Sequence, residues 1–374
     1  MAKKYQKLTE TQLAEIKKIL IIQQKPFGDI LLNTGYLPEL RRKFPAAQID
    51  YLIQRPYLTI LEDNPYLDNL VIMEKPKGRG VKFYAAQFKA MLKVRQRRYD
   101  LVIDQLRGTS SARIVMFCGA KYKLGYVKKR WNFLYNVQVI RGEPRYYSRW
   151  KFDPLLPLGI QEVPHNIMYT VKDASFDTIR QWLQQNELDQ SDLVVFSPGT
   201  PVKLKQWHLD NYAALGDKVQ RQTDCRIVLL WGPGEKEDAE AVCRKMKTPA
   251  IIAPPTTFNE AGALLKNHTR ILVTNDGGIA HLAVSQETPS ISIFGPKSSP
   301  VKWCAWHKEI HVCLKNWDHT DRSDATFGIM PDQVFEKFTA LLTLVRNAGD
   351  AKRVMRDGGR RQETGQPPAE GQPV

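Results

Sequence analysis

No apolar run in the 374-residue chain approaches the roughly 18–20 residues needed to span a bilayer. The N-terminal stretch MAKKYQKLTETQLAEIKK is polar and lacks the apolar centre of a secretory signal, so a cytoplasmic chain is expected. Cysteine is scarce: Cys118, Cys225, Cys243, Cys304 and Cys313 are scattered, with no CxxC pair. An odd number without metal spacing argues against a disulfide framework and a structural zinc site, and the five are expected as reduced thiols. Glycine-rich phosphate motifs are missing too. No GxGxxG follows the first predicted strand and no GxxxxGK[ST] occurs, which disfavours NAD enzymes and Walker-type NTPases.

Acid is what the first part of the chain has least of. Residues 1–150 hold 29 Lys and Arg against 12 Asp and Glu, a net of +17, while the remainder holds 26 against 27. From Lys75 to Arg98 there are nine basic residues and no acid. A one-sided field of this kind suits a polyanionic partner, whether nucleic acid, an anionic membrane surface or an acidic substrate. A solvated helix face is the plainer account of that run. Aromatic residues do not interleave with it in a recognisable nucleic-acid motif, so nucleic acid is disfavoured.

Apolar β-rich runs alternate with helical patterns along the chain, the signature of doubly wound α/β domains. Strands are predicted at 18–23, 48–53, 69–73 and 100–104, with helical spacing between them. The Pro-rich stretch FDPLLPLGIQEVPHN marks a boundary, placed at 165/166. The pattern then restarts, with strands expected near 192–200, 226–234, 270–276 and 289–296. Two Rossmann-like units imply a cleft between them, where ligands collect outside the carboxyl ends of the strands. A helix over 331–347 and a disordered Gly/Pro/Gln/Arg-rich tail over 348–374 complete the layout.

Three strand ends of the second unit carry polar groups. TNDGGIAHLA places Asp276, Gly277 and Gly278 at a helix start and His281 one turn on. Such a start has free N–H groups and a positive dipole end, suited to a diphosphate, whereas Asp276 suits a neutral sugar hydroxyl or simply caps the helix. FSPGTPVKLKQW presents Thr200 and then Lys203 and Lys205, either of which could neutralise a leaving diphosphate. LLWGPGEKEDAEA puts Glu235 where a carboxylate could accept from ribose hydroxyls, or favour a helix N-terminus. Singly each has a plain structural account; together they suit a nucleotide diphosphate-sugar. In the first unit, IIQQKPFGDI offers one glycine, Gly28, on a turn that ends in a carboxylate, Asp29.

These blocks, with YDLVIDQLRGTSSARIVMFCGAKYKLGY and TPSISIFGP in order and spacing, resemble glycosyltransferase family 9, the ADP-heptose:lipopolysaccharide heptosyltransferases. The resemblance runs from about Ile16 to Leu344. It implies a GT-B fold: an acceptor domain over 1–165 facing a nucleotide-sugar domain over 166–330 across a cleft. It implies an inverting transferase that needs neither metal nor cofactor. The family's general base falls on Asp29, its Lys-x-Trp diphosphate contact on Lys205 and Trp207, and its ribose-binding Glu on Glu235. The Asp-x-Gly-x-x-His of the donor site falls on Asp276, Gly278 and His281, and adenine is expected near Thr256. The family's usual Ser or Thr after that Asp is Gly277 here, and Ile279 replaces its usual Pro. The implied partners are ADP-heptose, the acidic inner core of lipopolysaccharide, and the cytoplasmic face of the inner membrane as a peripheral contact. Other readings are transfer of a different sugar, such as an N-acetylhexosamine, and a non-catalytic nucleotide-sugar-binding protein.

Overall fold

Strands β1 (Lys18–Ile22), β2 (Gln48–Gln54), β3 (Asn69–Met73), β4 (Leu101–Asp104), β5 (Tyr122–Tyr126) and β6 (Val137–Val139) form one sheet in the order β3-β2-β1-β4-β5-β6. Every pairing in it is parallel. Strands β7 (Leu193–Ser197), β8 (Arg226–Leu229), β9 (Ile251–Ile252), β10 (Thr269–Asn275), β11 (Ser290–Ile293) and β12 (His311–Leu314) repeat that topology in a second parallel sheet, ordered β12-β11-β10-β7-β8-β9. In this computed structural model the described residues are 5–362, apart from 77, 79, 129, 164–166, 306 and 307. The expected domain boundary at 165/166 therefore lies outside the described residues.

The central strands are legible because helices cover both faces of each sheet. Ile19–Ile22 and Leu193–Phe196 are buried throughout, so both segments read as unbroken apolar runs rather than alternating ones. Strands β5, β6 and β12 lie at or next to sheet edges and were not among the strands expected. They are short or carry exposed polar residues, as Gln138 does in β6, and their apolar signal is correspondingly thin.

Two further expectations are corrected. Cys304 and Cys313 form a disulfide, with Cα atoms 6.4 Å apart, while Cys118, Cys225 and Cys243 are free. Counting and spacing missed the pair because the chain meets itself: β12 lies beside β11 and brings Cys313 back to the end of the helix Pro300–Trp303, which Cys304 caps. The C-terminal helix spans Pro331–Gln362, well past 347. Its added length contains no proline and several good helix formers, which a reading by composition discounted. Residues 363–374 of the expected tail lie outside the described residues.

Trp207 anchors the second domain's most functional-looking loop. Its ring is fully buried, its backbone N–H donates to Asn275 Oδ1 (2.9 Å), and its indole N–H donates to the carbonyls of Thr326 and Ile329 (3.1 and 3.0 Å). One side chain thus ties the segment after β7 to the end of β10 and to the approach of the C-terminal helix. Trp207→Ala removes that ring and takes the indole donor from the Ile329 carbonyl, while the Thr326 carbonyl keeps the Ile329 N–H, a loss of about 3–5 kcal/mol. Urea unfolding should show it; a loss below about 1 kcal/mol would mean that the ring is not the anchor.

Candidate functional site

Each sheet reverses its winding once, between β1 and β4 in the first and between β7 and β10 in the second. Loops leaving the carboxyl ends of strands diverge at such points and open a crevice. The loop after β1 leads into the helix Phe27–Asn33, which carries Asp29 in its first turn. Gly28, expected on a turn, is helical as well, because the chain enters the helix directly from the capping residue Pro26. The glycine answers a different demand. A Cβ built at position 28 would lie 3.2 Å from Cδ2 of His281, in the other domain, so glycine lets the two helices meet without pressing on that ring.

Asp29 is half-buried, 4.0 Å from the ammonium of Lys151, which is itself 1% exposed. Lys151 also donates to Gln23 Oε1 (3.1 Å) and lies 4.9 Å from the centre of the Tyr147 ring. Arg141 stacks between Tyr126 and Trp150, 4.0 and 4.4 Å from their rings. Burial raises the Asp29 carboxyl above the ordinary aspartate range, and the charges of Lys151 and Arg141 hold it back. Burial pushes the Lys151 amine down to about 8, with Asp29 opposing the shift and Arg141 adding to it. Neither Lys151 nor Arg141 was picked from sequence. Arg141 sits in the basic first part and Lys151 directly after it, where only burial separates them from surface charges.

In the second domain Lys205 donates to Asp276 Oδ2 (2.6 Å), and the Ser298 hydroxyl donates to the same oxygen (2.7 Å). Asp276 does not cap the following helix: Gly277 is the capping residue of Gly278–Ser285. Asn275 fixes the strand end by donating to the carbonyl of Pro198 (2.9 Å). Lys203, the other candidate, is turned outward to Asp238 (2.7 Å) and Gln206 (3.1 Å), which leaves Lys205 as the cation at the strand ends.

His281 is 4% exposed, and its Nδ1 has no hydrogen-bond partner among the described residues. The rings of Tyr146 and Trp303 flank it at 6.3 and 6.0 Å. Burial lowers its pKa to about 4; Asp276 counters the shift and Lys205 reinforces it.

Glu235 occupies the turn after β8, where its Oε2 accepts from the N–H of Gly232 (3.1 Å). Burial raises its pKa, the Gly232 N–H opposes that, Asp238 adds to it and Lys203 opposes it. A Cβ on Gly199 would come within 2.7 Å of that same oxygen, so the turns after β7 and β8 touch only with glycine there. Buried Thr200 follows, its hydroxyl accepting from the N–H of Val202 (3.3 Å). Thr256 is half-buried on the loop after β9, one strand farther from the Lys205–Asp276 pair. Lys205, Asp276, Gly277, Gly278 and His281 thus form one group with Gly28 and Asp29 facing it; Thr200 and Glu235 form a neighbouring group, and Thr256 stands at its margin.

Two doubly wound domains whose strand-end loops meet across a crevice make a GT-B fold. A model of glycosyltransferase family 9 (heptosyltransferase) matches residues 88–327, and the chain belongs to that family. The chain is 25% identical over 326 residues to lipopolysaccharide heptosyltransferase 3 of Escherichia coli, covering 81% of this chain and 93% of that protein. Its fold is similar to the family 9 glycosyltransferase of Veillonella parvula DSM 2008 (TM-score 0.78, 21% identity, 87% and 97% of the two chains). It is also similar to E. coli ADP-heptose lps heptosyltransferase II (TM-score 0.70, 19% identity, 88% and 99%).

The buried His281 makes stability depend on pH. Its folded pKa of about 4 lies below the ordinary 6.5, so between those values the unfolded chain binds a proton that the native site does not. Stability therefore falls as pH drops from 6.5 towards 4 and this contribution levels off below that. His281→Asn should show a smaller decline in unfolding free energy across this window than the parent. Equal declines would place the titration elsewhere.

Proposed function

We propose that this chain moves a heptose from ADP-heptose to the inner core of lipopolysaccharide in a single in-line displacement that inverts the anomeric centre. The observation that carries this reading is the contact of Gly28 with His281, which sets Asp29 of one domain against the Lys205–Asp276–His281 group of the other. The names of the E. coli relatives support the sugar and the acceptor.

Asp29 takes the proton of an acceptor hydroxyl as that oxygen attacks the anomeric carbon. The bond from that carbon to the diphosphate oxygen breaks, and ADP departs from the opposite face. A carboxyl raised by burial is a better proton acceptor than a free aspartate, and Lys151 keeps it ionised. The negative charge growing on ADP is met by Lys205 and by the N–H groups at Gly277 and Gly278, without a metal ion. Asp276 and the unpartnered His281 Nδ1 orient the sugar, Glu235 and Thr200 hold the ribose and phosphate side, and adenine lies by Thr256. The basic first domain faces an acidic acceptor, and the protein works peripherally at the cytoplasmic face of the inner membrane.

Transfer is tested with ADP-heptose and with UDP-N-acetylhexosamines on a truncated lipopolysaccharide acceptor. Turnover with ADP-heptose alone is expected; turnover only with a UDP-sugar would replace the heptose reading, and binding without turnover would leave a carrier protein.

General-base assistance is typically worth about 10²–10⁴-fold, so Asp29→Asn should lose that much kcat while its affinity for the donor persists. Near-parental turnover would remove Asp29 from the chemistry. Lys151→Met takes away a charge that lowers the Asp29 pKa, so the acidic limb of kcat/KM should move to higher pH. An unmoved limb would mean that another group sets it.

A further inference from the structure

The helices Val81–Arg97 and Thr109–Phe117 lie side by side on the outer face of the first sheet. Between them runs an open apolar groove lined by Phe88, Met91, Leu92, Met116 and Phe117. Four of these are large side chains left 44% to 57% exposed. Single exposed apolar residues are ordinary, but a contiguous set marks a contact surface. Lys82, Lys89 and Lys93 stand exposed on the first helix, within the run that contains no acid. Glu74, a carboxylate that feels the charges of Lys89 and Lys93, is held by Arg55 through both of its oxygens.

Where the two helices begin, a cavity is lined by Lys25, Tyr84, Ser110 and Arg113 together with Phe83 and Thr109. Lys25 belongs to the loop that delivers Asp29, and the Ser110 hydroxyl donates to Gln24 Oε1 (3.0 Å) in that same loop. The same two helices thus carry an apolar groove with lysines nearby and, at their N-terminal ends, a cavity beside the loop that positions the proposed base.

We propose that this face is a membrane-docking surface for anionic phospholipid: Phe88, Leu92, Met116 and Phe117 enter the headgroup–acyl boundary and the lysines meet the lipid phosphates. Aromatic and aliphatic groups on one side of a helix with lysines beside them are the composition of an interfacial helix that lies on a bilayer. The opening of the crevice then faces the surface from which a glycolipid acceptor presents its sugars. The purpose of the surface rests on the acceptor proposed above; the surface itself is measured without it.

Full-length protein is sedimented with vesicles of phosphatidylcholine containing phosphatidylglycerol, and with vesicles of phosphatidylcholine alone. Binding to the anionic vesicles is expected. The double variant F88S/F117S should weaken it by at least about tenfold with its salt dependence retained. K89Q/K93Q should weaken it by about fivefold per lysine and flatten the salt dependence. Transfer to a soluble acceptor fragment should keep its parental rate in both. A parent that fails to sediment, or F88S/F117S bound as tightly as the parent, overturns the assignment. So does a dimer in analytical ultracentrifugation that dissociates on F88S/F117S, because a second copy would then cover the face. Normal vesicle binding by a parent that transfers no heptose supports the surface and sinks the proposed reaction instead.

Discussion

The approach of Gly28 to His281 is the contact on which the arrangement of the crevice rests. Two helices from separate domains meet end to end there, each carrying a titratable group within a few residues of the contact. Even a Cβ at position 28 would press on an imidazole that is buried and flanked by Tyr146 and Trp303. The consequence is electrostatic as much as steric. Closing that gap removes water from His281 and holds its ring neutral.

Burial then sets the character of each charged group. The Asp29 carboxyl is lifted and the Lys151 amine lowered, each by loss of water, and each restrains the other's shift. Across the crevice Lys205 and Ser298 share one oxygen of Asp276. A phosphate that draws Lys205 away leaves Asp276 with a donor still in place, so that carboxylate is not stranded without a partner. Position 277 contributes no hydroxyl, but Ser298, from the loop after β11, brings one to the neighbouring Asp276.

How much of this was legible follows from burial and distance along the chain. The central strands of both sheets stood out because they are apolar on both faces, and the restart of the pattern gave the duplicated architecture. Asp29, Lys205, Asp276 and His281 stood out because each lies at or just beyond a strand end, where a polar group in an apolar context is conspicuous. Lys151 and Arg141 did not, since a buried lysine and a surface lysine read alike within a basic segment. Ser298 is 22 residues from Asp276, and the Cys304–Cys313 pair needs the β11–β12 pairing, so neither follows from local spacing. Gly28 was conspicuous as a residue and was expected on a turn rather than in a helix; its close neighbour, His281, belongs to the other domain and could not be read from local spacing.

Aromatic rings meet where the domains touch. Phe27 meets Phe258 edge to face with centroids 3.6 Å apart, and Tyr147 stacks on Trp303 at 4.7 Å. The ion pair between Lys172 and Glu62 that also joins them is exposed and contributes little. Parting the domains therefore means wetting these rings and the aliphatic side chains of the shared core, a process that becomes easier on cooling and that ionic strength hardly touches. The lysine–phosphate contacts proposed for the basic face have the opposite profile. Cooling thus loosens the grip of one domain upon the other, whereas salt acts on those proposed contacts.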